Sequence, residues 1–263
     1  MSGRLSGKRA VVVGAGQSPG DTEGNGRAIS RIFSEQGAAL LLVDRRGESA
    51  RETASVCAGE AHVLEADVVD LDAGDAIARA ANESLGGIDI LVYNVGVGDR
   101  YDGPSDRLTE EAWDRILGVN LTGARRCFGA CLPVMRQTGA GSIVAISSLA
   151  AIAPSTMFAY SVSKAGLDRL VQSTAYHEAA NGVRCNAILP GLMQTPMAIE
   201  GQSLRRGIPR DDLIAERAKA VPMGHMGTAV DTAMAALFLA SDEARFITGV
   251  LLPVDGGSSV KIA

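Results

Sequence analysis

Tyr160 and Lys164 stand four residues apart in the stretch Phe158-Ala159-Tyr160-Ser161-Val162-Ser163-Lys164. On a helix that spacing puts both side chains on one face, close enough to share an electrostatic environment. A free phenol keeps its proton to a pKa of about 10 and is a poor base at neutral pH. A cation beside it, in a site screened from bulk water, favours the phenolate. A drop of about three units needs roughly 4 kcal/mol, within reach of a near-contact ammonium aided by a second positive group. The pair is therefore suited to moving one proton. Spacing alone does not establish this, because tyrosine and lysine one helical turn apart are commonly a surface pair. The surrounding elements have to decide.

Those elements alternate between two patterns. Short continuous apolar runs recur at residues 10–13, 38–43, 88–93, 142–146, 183–189 and 250–252, with 62–66 a weaker member. They do not alternate polar with apolar, as expected when both faces of a parallel sheet are covered. Between them, residues 26–36, 48–57, 71–85, 110–135, 159–179 and 228–240 carry apolar side chains at three- and four-residue spacing, the signature of helices. Strand and helix in turn predict βαβ units: an α/β, doubly wound, Rossmann-like parallel sheet of about seven strands with helices on both faces. No repeat or linker interrupts the pattern, so residues 1–263 are expected to form one domain.

Composition narrows the function classes. The chain has 263 residues, 46% of them apolar and 21% charged, with a net charge of −5 spread without blocks. That is an ordinary soluble globular balance, with no basic stripe for nucleic acid and no polybasic membrane patch. No apolar run approaches the ~20 residues of a membrane helix. The first strand begins too early to leave room for a cleavable leader, so a cytoplasmic location is expected. The four cysteines (Cys57, Cys127, Cys131, Cys185) lack metal-ligand spacing and read as small buried hydrophobes. Three scattered histidines (His62, His177, His225) make neither a metal site nor a Ser-His-Asp hydrolase. No metal is expected.

The first strand runs into Val13-Gly14-Ala15-Gly16, and a helix starts near Gly24-Asn25-Gly26-Arg27. Glycines at a strand-to-helix turn let backbone approach a pyrophosphate at the positive end of the helix. About twenty positions from the helix start comes Asp44, closing the second strand. A carboxylate there hydrogen-bonds adenosine ribose hydroxyls and repels a 2′-phosphate, favouring NAD. Arg45 and Arg46 follow at once and could stack on adenine or bind a phosphate, which leaves NADP open.

With these features in place, the chain resembles the short-chain dehydrogenase/reductase family, of the main single-domain type, over essentially its whole length. The family's landmarks occur in order: the glycine loop, Asp67-Val68, Asn94-Val95-Gly96, Asn120 inside a long helix, and Ser147-Ser148. Tyr160 with Lys164, Pro190-Gly191 with Thr195, and Val254-Asp255-Gly256-Gly257 follow. The resemblance implies that Tyr160 is the acid/base, that Lys164 lowers its pKa and holds the nicotinamide ribose, and that a serine orients the substrate oxygen. Asn120 would kink its helix around a water leading from Lys164 to solvent. Gly14, Gly16, Asn25 and Gly26 would cradle the diphosphate. Asp44 would face the adenosine ribose, with Arg45 beside it as a further cofactor-binding residue, and Asp67 and Val68 the adenine. Asn94 and Gly96 would line the ribose and the middle of the cofactor, and Pro190, Gly191 and Thr195 the carboxamide. The resemblance also implies a homotetramer, and the helices around 127–135 and 167–175 are apolar enough to bury a second face.

Three departures qualify it. The glycine loop is longer than usual by residues 17–23, so the distance from Gly14 to Gly24 resembles the divergent enoyl-reductase branch. That branch spaces its tyrosine and lysine more widely, however, and position 157 here is Met157. A surface insertion is expected, with Asp21 and Glu23 turned away from a diphosphate that would repel them. Strand register selects Ser148 as the catalytic serine, while counting back from Tyr160 selects Ser147. Adjacent residues point opposite ways, and Ser148 is taken because loops absorb deletions more readily than strands. Tyr93 and Val95, larger than usual, stand to alter the wall of the cofactor pocket.

For the substrate, residues 196–222 occupy the place of the family's lid. Met197, Ile199, Leu204, Ile208 and Leu213 there, with Leu149, Ala151, Phe158, Leu192 and Met193, predict an apolar lining for a secondary alcohol or ketone of moderate size. Arg205, Arg206 and Arg210 are expected in solvent. An NADPH-dependent 3-oxoacyl-thioester reductase is the alternative enzyme. A non-catalytic nucleotide-binding subunit is the alternative from another class, opposed by the complete set Asn120, Ser148, Tyr160 and Lys164.

Overall fold

In the computed structural model, which describes residues 3–261, the strands in chain order are β1 (Arg9–Val13), β2 (Ala39–Asp44), β3 (Ala61–Glu65), β4 (Ile90–Tyr93), β5 (Gly141–Ile146), β6 (Val183–Pro190), β7 (Met193–Gln194), β8 (Gly227–Thr228) and β9 (Leu251–Val254). Seven of them form one sheet in the order β3-β2-β1-β4-β5-β6-β9, with every pair parallel. Each apolar run in the sequence falls on one of these strands.

The sheet explains why those runs do not alternate. Val11, Val13, Leu41, Val43, Leu91, Tyr93 and Ile143 pack on one face, against helices α3 (Ala73–Leu85), α5 (Gly123–Gln137) and α6 (Phe158–Glu178). Their neighbours Ala10, Val12, Leu40, Leu42, Ile90, Val92 and Val144 pack on the other, against α1 (Asn25–Glu35) and α9 (Ala229–Ala240). Side chains alternate between faces, and both faces are dry. Cys127, Cys131 and Cys185 lie in the first of these layers as free thiols. Burial pushes the Cys127 thiol up to about 12.

Strand order reverses between β1 and β4, and the crevice at the carboxyl ends of such a sheet opens at that reversal. Three features deliver side chains to it. The expected helix at 110–135 is two α-helices, α4 (Glu110–Leu117) and α5, joined by a π-turn at Gly118–Thr122 with Asn120 in its middle. A long α6 follows β5. The segment after β6 is pinned at both ends by the two-residue ladder of β7 with β8, Met193 opposite Gly227 and Gln194 opposite Thr228. Between those pins lie α7 (Glu200–Arg206) and α8 (Arg210–Ala218), which the sequence pattern did not show. The remaining helix, α2 (Gly47–Ala54), follows β2. No helix among the described residues is long and apolar enough to cross a membrane.

Candidate active site

The glycine loop is built for close approach. Gly14 has a φ of +83°, a left-handed conformation in which a side chain is strained. A Cβ on Gly26 would lie 2.0 Å from the Gly14 carbonyl oxygen, so α1 seats on the loop only without one. Asn94 donates from Nδ2 to that same carbonyl at 2.8 Å, bracing the loop from the end of β4. No side chain caps the start of α1, and its first turn carries no acidic residue. Asn25 Oδ1 is buried there without a hydrogen-bond partner. Free amides at a helix N-terminus and an orphaned polar atom suit a phosphate-bearing ligand with hydroxyls or amides to share.

Asp44 closes β2 beside this loop. Its carboxylate accepts from the Gly16 amide at 2.9 Å and the Arg46 amide at 3.0 Å. Arg46 is committed elsewhere, donating to the Gln17 carbonyl at 2.6 Å. Arg45 is exposed on the rim. Asp44, Arg45, Asp67 and Val68 line a hollow of about 290 Å³. A second hollow of about 220 Å³ continues from it, bounded by Asn25, Gly26, Ser148, Tyr160, Lys164, Pro190, Gly191 and Thr195. Gly14 lines the first hollow, while Gly16, Ser18, Asn94, Gly96 and Met197 line both. All the predicted cofactor residues therefore lie along one continuous cleft.

At its far end the proton-handling groups converge. Adjacent serines at the end of β5 point opposite ways. Ser147 is buried and donates to the Lys164 carbonyl at 3.4 Å. Ser148 lines the cleft together with Tyr160 and accepts from the Ala150 amide at 3.1 Å. The strand-register choice of Ser148 thus matches the side chain that faces Tyr160. Lys164 Nζ lies 5.8 Å from the centre of the Tyr160 ring and donates to the Ile146 carbonyl at 2.9 Å. Asn120, fully buried, accepts from the Val97 amide at 2.8 Å and donates to Val97 O and Ser163 Oγ, each at 3.0 Å. It ties the loop after β4 to α6 one residue before Lys164.

The electrostatics differ from the expectation. Burial pushes the Tyr160 phenol above its ordinary value, and the hydrogen bond with Ser148 only partly opposes this. Burial also lowers Lys164 from 10.5 to about 8, against the pull of Asp168. Desolvation thus disfavours both charged forms, the phenolate and the ammonium.

Other expectations shift as well. Tyr93 does not border the cleft: it is buried, donates its hydroxyl to Val119 O at 2.7 Å and meets Phe128 edge-on. Val95 does line it. Of the apolar residues expected in the substrate wall, Met193 and Met197 line the cleft, Ile199 and Leu213 are buried, and Leu204 points outward, 86% exposed. Arg205 and Arg206 are exposed as expected, Arg206 in a surface pair with Glu216 at 3.0 Å, while Arg210 is half-buried and lies 3.7 Å from Glu200. In the glycine loop, Asp21 is exposed and Glu23 is held by Arg31 at 3.1 Å, away from the diphosphate path.

Two contributors went unnoticed in the sequence. Asp102, in the loop after β4, accepts from the Ala159 and Tyr160 amides at 2.9 and 3.1 Å. It satisfies orphan donors in the first turn of α6 that the local cap residue, Met157, leaves free. No local signal reveals so distant a cap. Asp168, one turn beyond Lys164 and buried, had a signal: residues 160, 164 and 168 share one helical face.

Residues 20–259 match a family model described as enoyl-(acyl carrier protein) reductase. The chain is similar to 3beta-hydroxysteroid dehydrogenase 1 of Eggerthella lenta, 38% identical over 97% of this chain and 95% of that one. It is also similar to 2,5-dichloro-2,5-cyclohexadiene-1,4-diol dehydrogenase LinX of Sphingobium indicum, 34% identical over the full length of both. Among solved structures, carveol dehydrogenase from Mycobacterium avium in complex with NAD superposes with a TM-score of 0.88 at 30% identity, over 98% of this chain and all of that one.

Proposed function

The chain belongs to the short-chain dehydrogenase/reductase family, and from that premise we propose that it oxidises a secondary alcohol to a ketone, or the reverse, with NAD(H). The observation that carries this reading is the meeting of Ser148 with Tyr160, and of Lys164 one turn on, at one end of a cleft whose other end is walled by Asp44. Bound in that cleft, NAD supplies the hydride acceptor at its nicotinamide carbon.

The protein's own part is to position and to manage one proton. Tyr160 Oη takes the hydroxyl proton of the alcohol, or returns it to the ketone oxygen. Ser148 Oγ holds that oxygen in line. Lys164 supplies a positive charge behind the phenol, with Asn120 fixing the adjacent turn of α6. Gly14, Gly16, Asn25 and Gly26 would hold the diphosphate, Asp67 and Val68 the adenine, Asn94 and Gly96 the middle of the molecule, and Pro190, Gly191 and Thr195 the carboxamide. Asp44 supports NAD over NADP, since its carboxylate borders the ribose end; Arg45 on the rim is the one feature favouring NADP. The segment at 196–222 serves as the lid. The relatives' names point to a hydroxyl borne on a ring, and Met193 and Met197 offer an adaptable apolar wall for it.

A homotetramer accompanies the reading. Cys127, Phe128, Cys131 and Met135, with Leu167, Val171 and Ala175, fill the protein's own core rather than a second face, and the exposed apolar side chains are instead Val162 on α6 and Val230 and Met234 on α9; light scattering checks the mass. The deciding experiment is a screen of cyclic secondary alcohols with NAD and with NADP, following reduced-cofactor absorbance. NAD-linked turnover that vanishes in Tyr160→Phe is expected. Full turnover in that variant would sink the assignment, and strong NADP preference would sink the role given to Asp44 and revive the 3-oxoacyl-thioester reductase.

A further inference from the structure

The extra residues of the glycine loop have a partner across the cleft. Glu200, the first residue of α7, receives the Asp21 amide at 3.2 Å and the Thr22 amide at 3.4 Å. The Thr22 hydroxyl lies 3.2 Å from each of its carboxylate oxygens. Arg210 balances the charge from behind, its Nε 3.7 Å away. Gly20, at a φ of +150°, makes the approach possible: a Cβ there would lie 2.7 Å from the Glu200 carboxyl carbon. Each contact is modest, but together they give a charge-assisted cluster on one carboxylate.

Its position gives it meaning. Ser18, at the start of the insertion, and Met197, three residues before Glu200, both line the two halves of the cleft. The insertion rises from one bank and α7 from the other, and they meet at Glu200. We infer that Glu200 is a positioning residue that latches the glycine-loop insertion to the lid, closing a roof over the middle of the dinucleotide path. It rests on the reading above for the identity of the ligand only. A dinucleotide leaving the cleft has to part this contact, so the latch sets its release rate, and the lid cannot open independently of the phosphate loop.

The test has an arm that needs no cofactor. Hydrogen–deuterium exchange on the cofactor-free protein should show faster exchange at both 18–23 and 200–206 in Glu200→Ala and in Thr22→Val. The double variant should exchange no faster than Glu200→Ala alone, and Thr22→Val should do less by itself, because it removes only the hydroxyl part of the same contact. Glu200→Gln, which keeps an acceptor oxygen, should be intermediate. In stopped-flow displacement, NADH should leave Glu200→Ala roughly tenfold faster, as expected for losing hydrogen bonds to a charged group. Single-turnover hydride transfer should stay within about twofold, since no reacting atom is touched. Unchanged exchange in the insertion, or NADH release at the wild-type rate, overturns the latch. If the wild type binds no dinucleotide, the proposed function fails and the exchange arm alone decides the latch.

Discussion

Lys164 shows what a functional charge costs a fold. The residue is 2% exposed, and its ammonium rests on the Ile146 carbonyl. The fall from 10.5 to about 8 corresponds to about 3 kcal/mol against the charged form. Between those values the unfolded chain binds the proton and the folded chain does not, so stability rises with pH across that window. Lys164→Met should therefore melt higher than wild type at neutral pH, lose that alkaline gain, and have no measurable turnover; a calorimetric scan and an activity assay check all three. The same titration shapes the kinetics. Tyr160, pushed upward by burial, is better suited to giving a proton to a ketone than to taking one from an alcohol. Lys164 loses its charge as pH rises through about 8. The pH profile of ketone reduction should be level on the acid side and decline through that value, and a rate that climbs there would contradict it.

At the scale of elements, helix α6 is held at its start by a group from elsewhere. Asp102 accepts from the second and third amides of α6, one of them belonging to Tyr160 itself. Asp102→Ala should cost about 1 kcal/mol of stability, typical of a lost N-cap, and lower kcat more than it raises KM, because the phenol loses its seat. Asp102→Asn should restore most of both, since asparagine caps equally well; melting curves and steady-state rates distinguish the two. Such a contact spans 58 residues of chain and leaves no mark on local pattern. The strands were legible because burial on both faces demands unbroken apolar runs. The residues of the glycine loop, the serine pair and the tyrosine–lysine pair, singled out by spacing, all line or adjoin one cleft. Helices α7 and α8 were not legible. They are short and charge-rich, with few buried positions, so packing and ion pairs such as Arg206–Glu216 make them rather than an apolar stripe. The electrostatics of Tyr160 also escaped the sequence, because spacing reports proximity and not desolvation.

Across the whole molecule, α5 and α6 are joined far from the cleft by Arg136 and Glu178. The guanidinium donates from Nε to Glu178 Oε2 at 2.8 Å and from Nη2 to Oε1. Beside it, the Glu178 carboxyl is held down from 4.5 to about 2. A depressed carboxyl contributes stability above its unfolded value and loses it as pH falls through the folded one. Glu178→Gln should unfold at lower urea than wild type at neutral pH, and the gap should narrow between about 4.5 and about 2; denaturation midpoints across that range measure it.

The wide turn at Gly118–Thr122 has a consequence for how this chain can change. A π-turn carries one residue more than a regular ladder but turns less per residue, so its span rotates the chain about as far as a regular helix one residue shorter. The extra residue is absorbed in place, and Ala112 and Ile116 on one side and Cys127 and Met135 on the other both face inward. Losing one codon there would leave a seamless rod with its two halves still in register. What it would cost is the seat of Asn120, so a deletion there should spare folding far more than it spares turnover.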